Sequence, residues 1–123
     1  MKRLLLLIMV IFYSIGYISA QNVQNVQRYK MYQTENIHIL LKLDTATGKV
    51  WMVQYSLGDN TGMVVPVDDS SLLISGIKEV AGRFELYPTK NMYNFILLDT
   101  KYGNTYQVQW SFDIMNRVRI PII

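Results

Sequence analysis

Apolar and polar residues alternate along residues 50–57. Trp51, Val53, Tyr55 and Leu57 fall on one side of an extended chain, and Met52, Gln54 and Ser56 on the other. The alternation returns at residues 105–112, with Tyr106, Val108, Trp110 and Phe112 against Gln107, Gln109 and Ser111. A period of two predicts strands with one face turned toward a core. Each strand is preceded by an apolar stretch (37–43 and 92–98) and, before that, by a short alternation that begins at Tyr29 or Phe84. Each is followed by a fourth stretch, MVVPV at 63–67 or VRIPI at 118–122. Proline cannot donate to a strand ladder, so Pro66 and Pro121 place these stretches at sheet edges or strand ends.

The two sets of strands are copies. Residues 28–67 align with 83–122 at a constant offset of 55, without a gap. Arg28/Arg83, Tyr32/Tyr87, Thr34/Thr89, Asn36/Asn91, Asp44/Asp99, Thr45/Thr100, Gly48/Gly103, Gln54/Gln109 and Ser56/Ser111 are among the identities. A period of this size marks a repeated supersecondary unit. The loops kept in both copies, DTATGK at 44–49 and DTKYGN at 99–104, read as hairpins. Asp44 and Asp99 can accept from backbone N–H groups two residues on, and Gly48 and Gly103 supply the left-handed residue of a type I turn with a bulge. Asn36 and Asn91 sit in tight turns, where asparagine tolerates positive φ.

The expected architecture is therefore all-β. Two pseudo-symmetric four-stranded antiparallel meanders, related by a pseudo-two-fold, form one sandwich or closed barrel over 28–123. The expected core is Tyr29, Met31, Ile39, Leu41, Leu43, Trp51, Val53, Tyr55 and Leu57, with Phe84, Leu86, Ile96, Leu98, Tyr106, Val108, Trp110 and Phe112. The joining segment 68–82 has no counterpart in the repeat. Its Leu72, Leu73, Ile74, Ile77 and Val80 predict a short strand or helical turn packed over the sheet.

Ahead of the repeats, Lys2 and Arg3 precede an apolar run from Leu4 to about Tyr17, and Ala20 offers a small residue at its end. This is the layout of a secretory signal peptide (1–20), shorter than the ~20 apolar residues a membrane span needs. Cleavage after Ala20 would leave Gln21 first, a flexible lead-in at 21–27, and a periplasmic or secreted product that does not span the membrane. The uncleaved alternative is a signal anchor. Loss of Lys2 and Arg3 reduces the formal charge of +3 to ten basic against nine acidic residues. Basic residues are not clustered, so no nucleic-acid partner is expected. Arg117 and Arg119 alternate on a strand and read as a solvated face. Cysteine is absent, which excludes disulfides, thiolate metal sites and a lipoprotein anchor.

The nine residues LDTATGKVW resemble the loop and strand start of bacterial β-propeller blades, including quinoprotein-type repeats. Two meanders are too few to close a propeller. A broader pattern, RFxLxPTxNMYxFxLLDxxxGxxxQxQWSFD…NRxxxPI, is fullest from Arg83 to Ile122. On it, nearly the whole of the chain after the leader is similar to a family of small duplicated proteins of Bacteroides-like gut bacteria. The resemblance implies a source and a shared fold, and it carries over no catalytic residue.

Residues that carry chemistry are sparse. His38 is the single histidine and Tyr93 replaces it in the second copy, so neither a His-rich metal site nor a cofactor is expected. His38 with Ser56, Ser70, Ser71 or Ser75 lacks a nucleophile-elbow context. Asp44 and Asp99 could pair as glycosidase carboxylates, but their hairpin positions favour a structural role. Asp59, Asp68 and Asp69 lack a calcium-loop spacing. The candidate ligand platform is the repeated stripe Gln54, Ser56, Gln109 and Ser111, flanked by Tyr32, Tyr87 or Tyr102. Against it stands a plain solvated face. Between the copies, His38, Leu40 and Lys42 become Tyr93, Phe95 and Leu97, an apolar face in one repeat only. It needs a cover, either the 72–80 segment or another subunit in a homodimer. The functional expectation is an exported non-catalytic binding or interaction module for a glycan or an envelope protein. The alternatives are a small envelope hydrolase or hydrolase inhibitor, and a structural subunit.

Overall fold

A computed structural model of the chain describes residues 25–56, 58 and 62–123. The expected signal peptide, Leu57 and Asp59 lie outside the described residues. Eight strands are described: β1 Tyr29–Gln33, β2 Ile39–Asp44, β3 Val50–Gln54, β4 Met63–Asp68, β5 Phe84–Pro88, β6 Asn94–Asp99, β7 Thr105–Gln109 and β8 Val118–Ile122, with a 3-10 turn at Ile114–Asn116. They form two four-stranded antiparallel sheets, each a meander in sequence order, β1-β2-β3-β4 and β5-β6-β7-β8. The sheets stack as a sandwich around one apolar cluster. Pro66 and Pro121 lie on β4 and β8, both edge strands, where a missing N–H breaks no ladder.

The way the sheets stack corrects the expected core. The first sheet buries Ile39, Leu41, Leu43, Val50 and Met52, whereas the second buries Phe95, Leu97, Val108 and Trp110. Leu41 corresponds to Ile96 and Leu97 to Lys42, so the copies bury opposite faces of the same repeat. A two-fold would have brought like faces together. Instead the front of the first sheet lies against the back of the second. Tyr29 and Met31 are consequently half exposed, as are Tyr55 and Phe112. Trp51, Val53, Ile96 and Leu98 face outward and are only partly covered. Alternation in β2 and β3 is ambiguous because both faces carry large apolar residues, and only the partner sheet decides which face is buried.

Phe95 and Leu97, 3% and 0% exposed, belong to the same cluster as Ile39, Leu41 and Leu43. Their cover is thus the chain's own core, mainly the first sheet, and not another subunit. The 72–80 segment contributes Leu72 and Leu73 to the cluster, while Ile74, Ile77 and Val80 are exposed. It forms neither strand nor helix. The expectation for Arg119 is also overturned. Its side chain is 4% exposed and lies within the joint between the sheets. Its Nη1 donates to Gly48 O (2.8 Å) and Ser70 O (2.9 Å) and its Nη2 to Ser70 Oγ (3.1 Å). The Arg117 guanidinium, partly buried, donates to Ser111 O and Phe112 O.

Both hairpin glycines have φ +79°, as the turn type requires. Their surroundings differ. A Cβ on Gly48 would sit 2.5 Å from Leu72 Cδ1 and 3.4 Å from Phe84 Cδ1, whereas a Cβ on Gly103 would meet open space. Gly103→Ala should therefore cost about 1 kcal/mol, the price of the left-handed backbone. Gly48→Ala should cost at least about 1 kcal/mol more, because Leu72 must move. Urea midpoints of the two variants measure the difference, and equal losses would mean that Leu72 is not seated on the hairpin.

Candidate functional site

The residues kept in both copies build a latch. In the first sheet Arg28 grips Asp44 with two hydrogen bonds (3.2 and 3.1 Å), and in the second Arg83 grips Asp99 likewise (3.0 and 2.8 Å). Asp44 Oδ1 also accepts from Ala46 N, and Asp99 Oδ1 from Lys101 N, each at 3.0 Å. Thr45 and Thr100 close the latch by donating from Oγ1 to Arg28 O and Arg83 O, both at 2.6 Å. Thr34 and Asn36 shape their turn in the same way as Thr89 and Asn91. Asn36 Oδ1 accepts from His38 N and Asn91 Oδ1 from Tyr93 N. These identities are accounted for by the fold, and neither aspartate carboxylate is free for acid–base chemistry.

Burial pushes the Asp44 carboxyl upward, but hydrogen bonds from Arg28 and Ala46 N and the Arg28 charge outweigh it and hold the group below its usual value. For Asp99 the Arg83 hydrogen bond dominates, opposed by burial, and the pKa again falls. A carboxylate depressed in the folded state stabilises above its unfolded pKa, ~3.9, and loses that contribution as the pH falls through the folded value. The urea midpoint should therefore hold steady from pH 8 to 5 and drop below about pH 4. Asp99→Asn should shrink that drop. An unchanged acid limb in the variant would show that the latch is not its source.

The stripe of amides and hydroxyls does not form one platform. Gln109 and Ser111 line a recess of about 410 Å³ at one end of the second sheet. Gln54 lies on the buried-face side of the first sheet, paired with Ile39 and Met63, and Ser56 follows that strand. Tyr32 turns into the joint, where its Oη accepts from Leu86 N (3.4 Å). Tyr87 is exposed on the outer face of the second sheet, and Tyr102 is exposed on the hairpin. Asp68 is taken up by Ser70 and Arg119. The ring of His38 lies edge-on to Tyr55.

The recess is built from the copy-specific aromatics. Trp110 is fully buried and donates from Nε1 to Met92 O (2.8 Å). Tyr93 packs against it at 4.9 Å between centroids, and Phe112 stands edge-on at 5.7 Å. Tyr93 and Phe112 are 43% and 56% exposed, so each offers a ring to an incoming molecule. Around them stand Asn91, Asn94, Gln109 and Asn116. Gln107 Nε2 donates to Asn94 Oδ1 (2.7 Å) and Gln109 Nε2 to Asn116 O (3.0 Å), which fixes both amides. Asp113 contributes the acid, with its carboxylate accepting from Met115 N and Asn116 Nδ2. Repeat comparison placed Tyr93 in an apolar face, and its partnership with Phe112 and the asparagines emerges only in three dimensions. The first copy has a different recess, which shares only Asn36, Ile39 and Tyr55, the counterparts of Asn91, Asn94 and Trp110, and is otherwise lined by Gln33, Thr34, Ile37 and Leu40.

Comparison with protein-family models, with curated proteins and with solved structures finds no match. Among the described residues, no helix is long and apolar enough to cross a membrane.

Proposed function

We propose that the protein is an exported, non-catalytic binding module and that its ligand is a neutral glycan seated in the Trp110 recess. The observation that carries this reading is the pairing of two exposed rings, Tyr93 and Phe112, with a set of fixed carboxamides. Aromatic rings stack on the apolar C–H faces of a sugar, and amides hydrogen-bond its hydroxyls in both directions. The mixture of an apolar wall and a few oriented polar groups is what small-ligand sites share. A hydrolytic reading has less support, because the repeated carboxylates are occupied by Arg28 and Arg83. Export rests on the n-region, apolar run and Ala20, and the likeness to small duplicated proteins of Bacteroides-like bacteria belongs to the same proposal.

Titration of isotope-labelled protein with a panel of neutral oligosaccharides tests the reading. At least one should shift the resonances of Tyr93, Phe112 and the Asn94 side chain. Phe112→Ala should weaken that binding at least tenfold with the fold intact. A panel without binders, or a binder indifferent to Phe112, defeats the proposal. Amino-terminal sequencing of the exported protein should begin at Gln21, and a full-length product in the membrane pellet would mark an anchor instead.

A further inference from the structure

The front-to-back stacking leaves each sheet with one unpartnered face, and the duplication says what that face resembles. The outer face of the second sheet carries the row Tyr87, Ile96, Gln107, Ile120. It is the repeat equivalent of Tyr32, Leu41, Met52, Val65, the row that the first sheet buries in the joint. The outer face of the first sheet carries Met31, Lys42, Trp51, Pro66. That row is equivalent to Leu86, Leu97, Tyr106, Pro121, of which the second sheet packs the first three into the same joint. The two free faces are thus repeat counterparts of the two faces that already fit together inside the chain. Both are apolar for solvent-facing surfaces, with Met31, Val64, Tyr87 and Ile120 each about half exposed.

The polar features of the joint are also duplicated and left open. Within the chain, Tyr32 Oη accepts from Leu86 N on the edge strand β5. Its counterpart Tyr87 is exposed, and the counterpart of Leu86 is Met31 on the edge strand β1. Phe84 N and Gly82 N donate to Thr45 O and Oγ1, seating the start of the second repeat on the first hairpin beside Gly48. The counterpart hairpin, residues 99–104, is exposed from Thr100 onward, and the place beside Gly103 is open space. The counterpart of Phe84 is Tyr29, itself half exposed. Lys30 pairs with Glu85 at 3.4 Å across the joint. These two residues occupy the same repeat position, so a further copy would set Glu85 against Lys30 and preserve opposite charge.

We propose that this chain binds a second copy of itself head to tail, the outer face of the first sheet of one molecule docking on the outer face of the second sheet of the next. A contact between unlike faces leaves one face of each kind free at the ends of the pair, so the assembly closes as a ring or grows as a filament, depending on the rotation per step. This proposal does not rest on the glycan reading, although Asn94 and Gln109 of the recess border the outer face of the second sheet, next to Gln107.

Sedimentation velocity on the purified protein, with variants at positions already exposed in the single chain, provides the test. Wild type should run at twice the monomer mass or more. Met31→Glu/Val64→Glu on one face, and Tyr87→Ala/Ile120→Glu on the other, should each give a monomer with an unchanged circular dichroism spectrum. Mixing the two variants should restore a one-to-one dimer and nothing larger, since each retains the face that the other lacks. A monomeric wild type at 100 µM or so, a variant that still self-associates, or a mixture that stays monomeric would overturn the proposal. Like faces meeting like would show itself in the second of these outcomes.

Discussion

Leu41→Asp should unfold the protein, whereas Ile96→Asp, the same change at the equivalent position of the other repeat, should leave it folded. Leu41 is fully buried in the joint between the sheets. Ile96 faces outward on the second sheet and retains partial access to water. An unpaired carboxylate in an apolar cluster costs several kcal/mol even after it takes up a proton. A domain of about a hundred residues has only about 5–15 kcal/mol in total. The converse pair follows from the same geometry. Leu97→Lys should be as damaging as Leu41→Asp, while Lys42→Leu, its counterpart, should lie within about 0.5 kcal/mol of wild type. Far-UV circular dichroism and urea midpoints settle all four. Equal losses within either pair would mean that like faces meet after all.

Arg119→Met should cost about 3 kcal/mol although it keeps most of the side chain's apolar volume. The guanidinium is nearly buried, and burial pushes its pKa downward while the Asp68 charge opposes this. Its loss would strand Gly48 O and Ser70 O and release Asp68 at 3.5 Å. It would also loosen the 68–82 segment, which Arg119 and the Leu72 N–H bond to Thr47 O together tie to the hairpin of the first repeat. The variant should therefore show a lowered urea midpoint together with faster proteolysis within 68–82. An unfolding free energy within 0.5 kcal/mol or so of wild type would place the residue back on a solvated face.

Strand positions were legible because each has a local cause. The turns are set by Asn36, Asn91, Gly48 and Gly103, and the edges by Pro66 and Pro121. The second strand pairings follow from meander connectivity, since short loops permit only antiparallel neighbours. The role of the aspartates was half legible. Their hairpin bonds to backbone N–H groups follow from spacing, but the grip of Arg28 on Asp44 joins residues sixteen apart on neighbouring strands. The recess was least legible. Gln109 and Ser111 stood out by repetition, yet their counterparts Gln54 and Ser56 lie on the other sheet. What gathers Tyr93, Trp110 and Phe112 is the packing of two strand ends and a loop. Arg119 could not be told from Arg117 by pattern, because its counterpart in the first repeat is Val64, on an outer face.

By itself the sequence determined two four-stranded meanders, their turns and their edges, for these depend on φ preferences, missing donors and a period of two. Only the tertiary structure decided which face of each meander is buried. In a repeat with apolar residues on both faces, alternation assigns residues to sides but does not say which side meets water. That choice belongs to the stacking of one copy on the other, front to back, and it is made by the fit of two different surfaces that no single strand encodes.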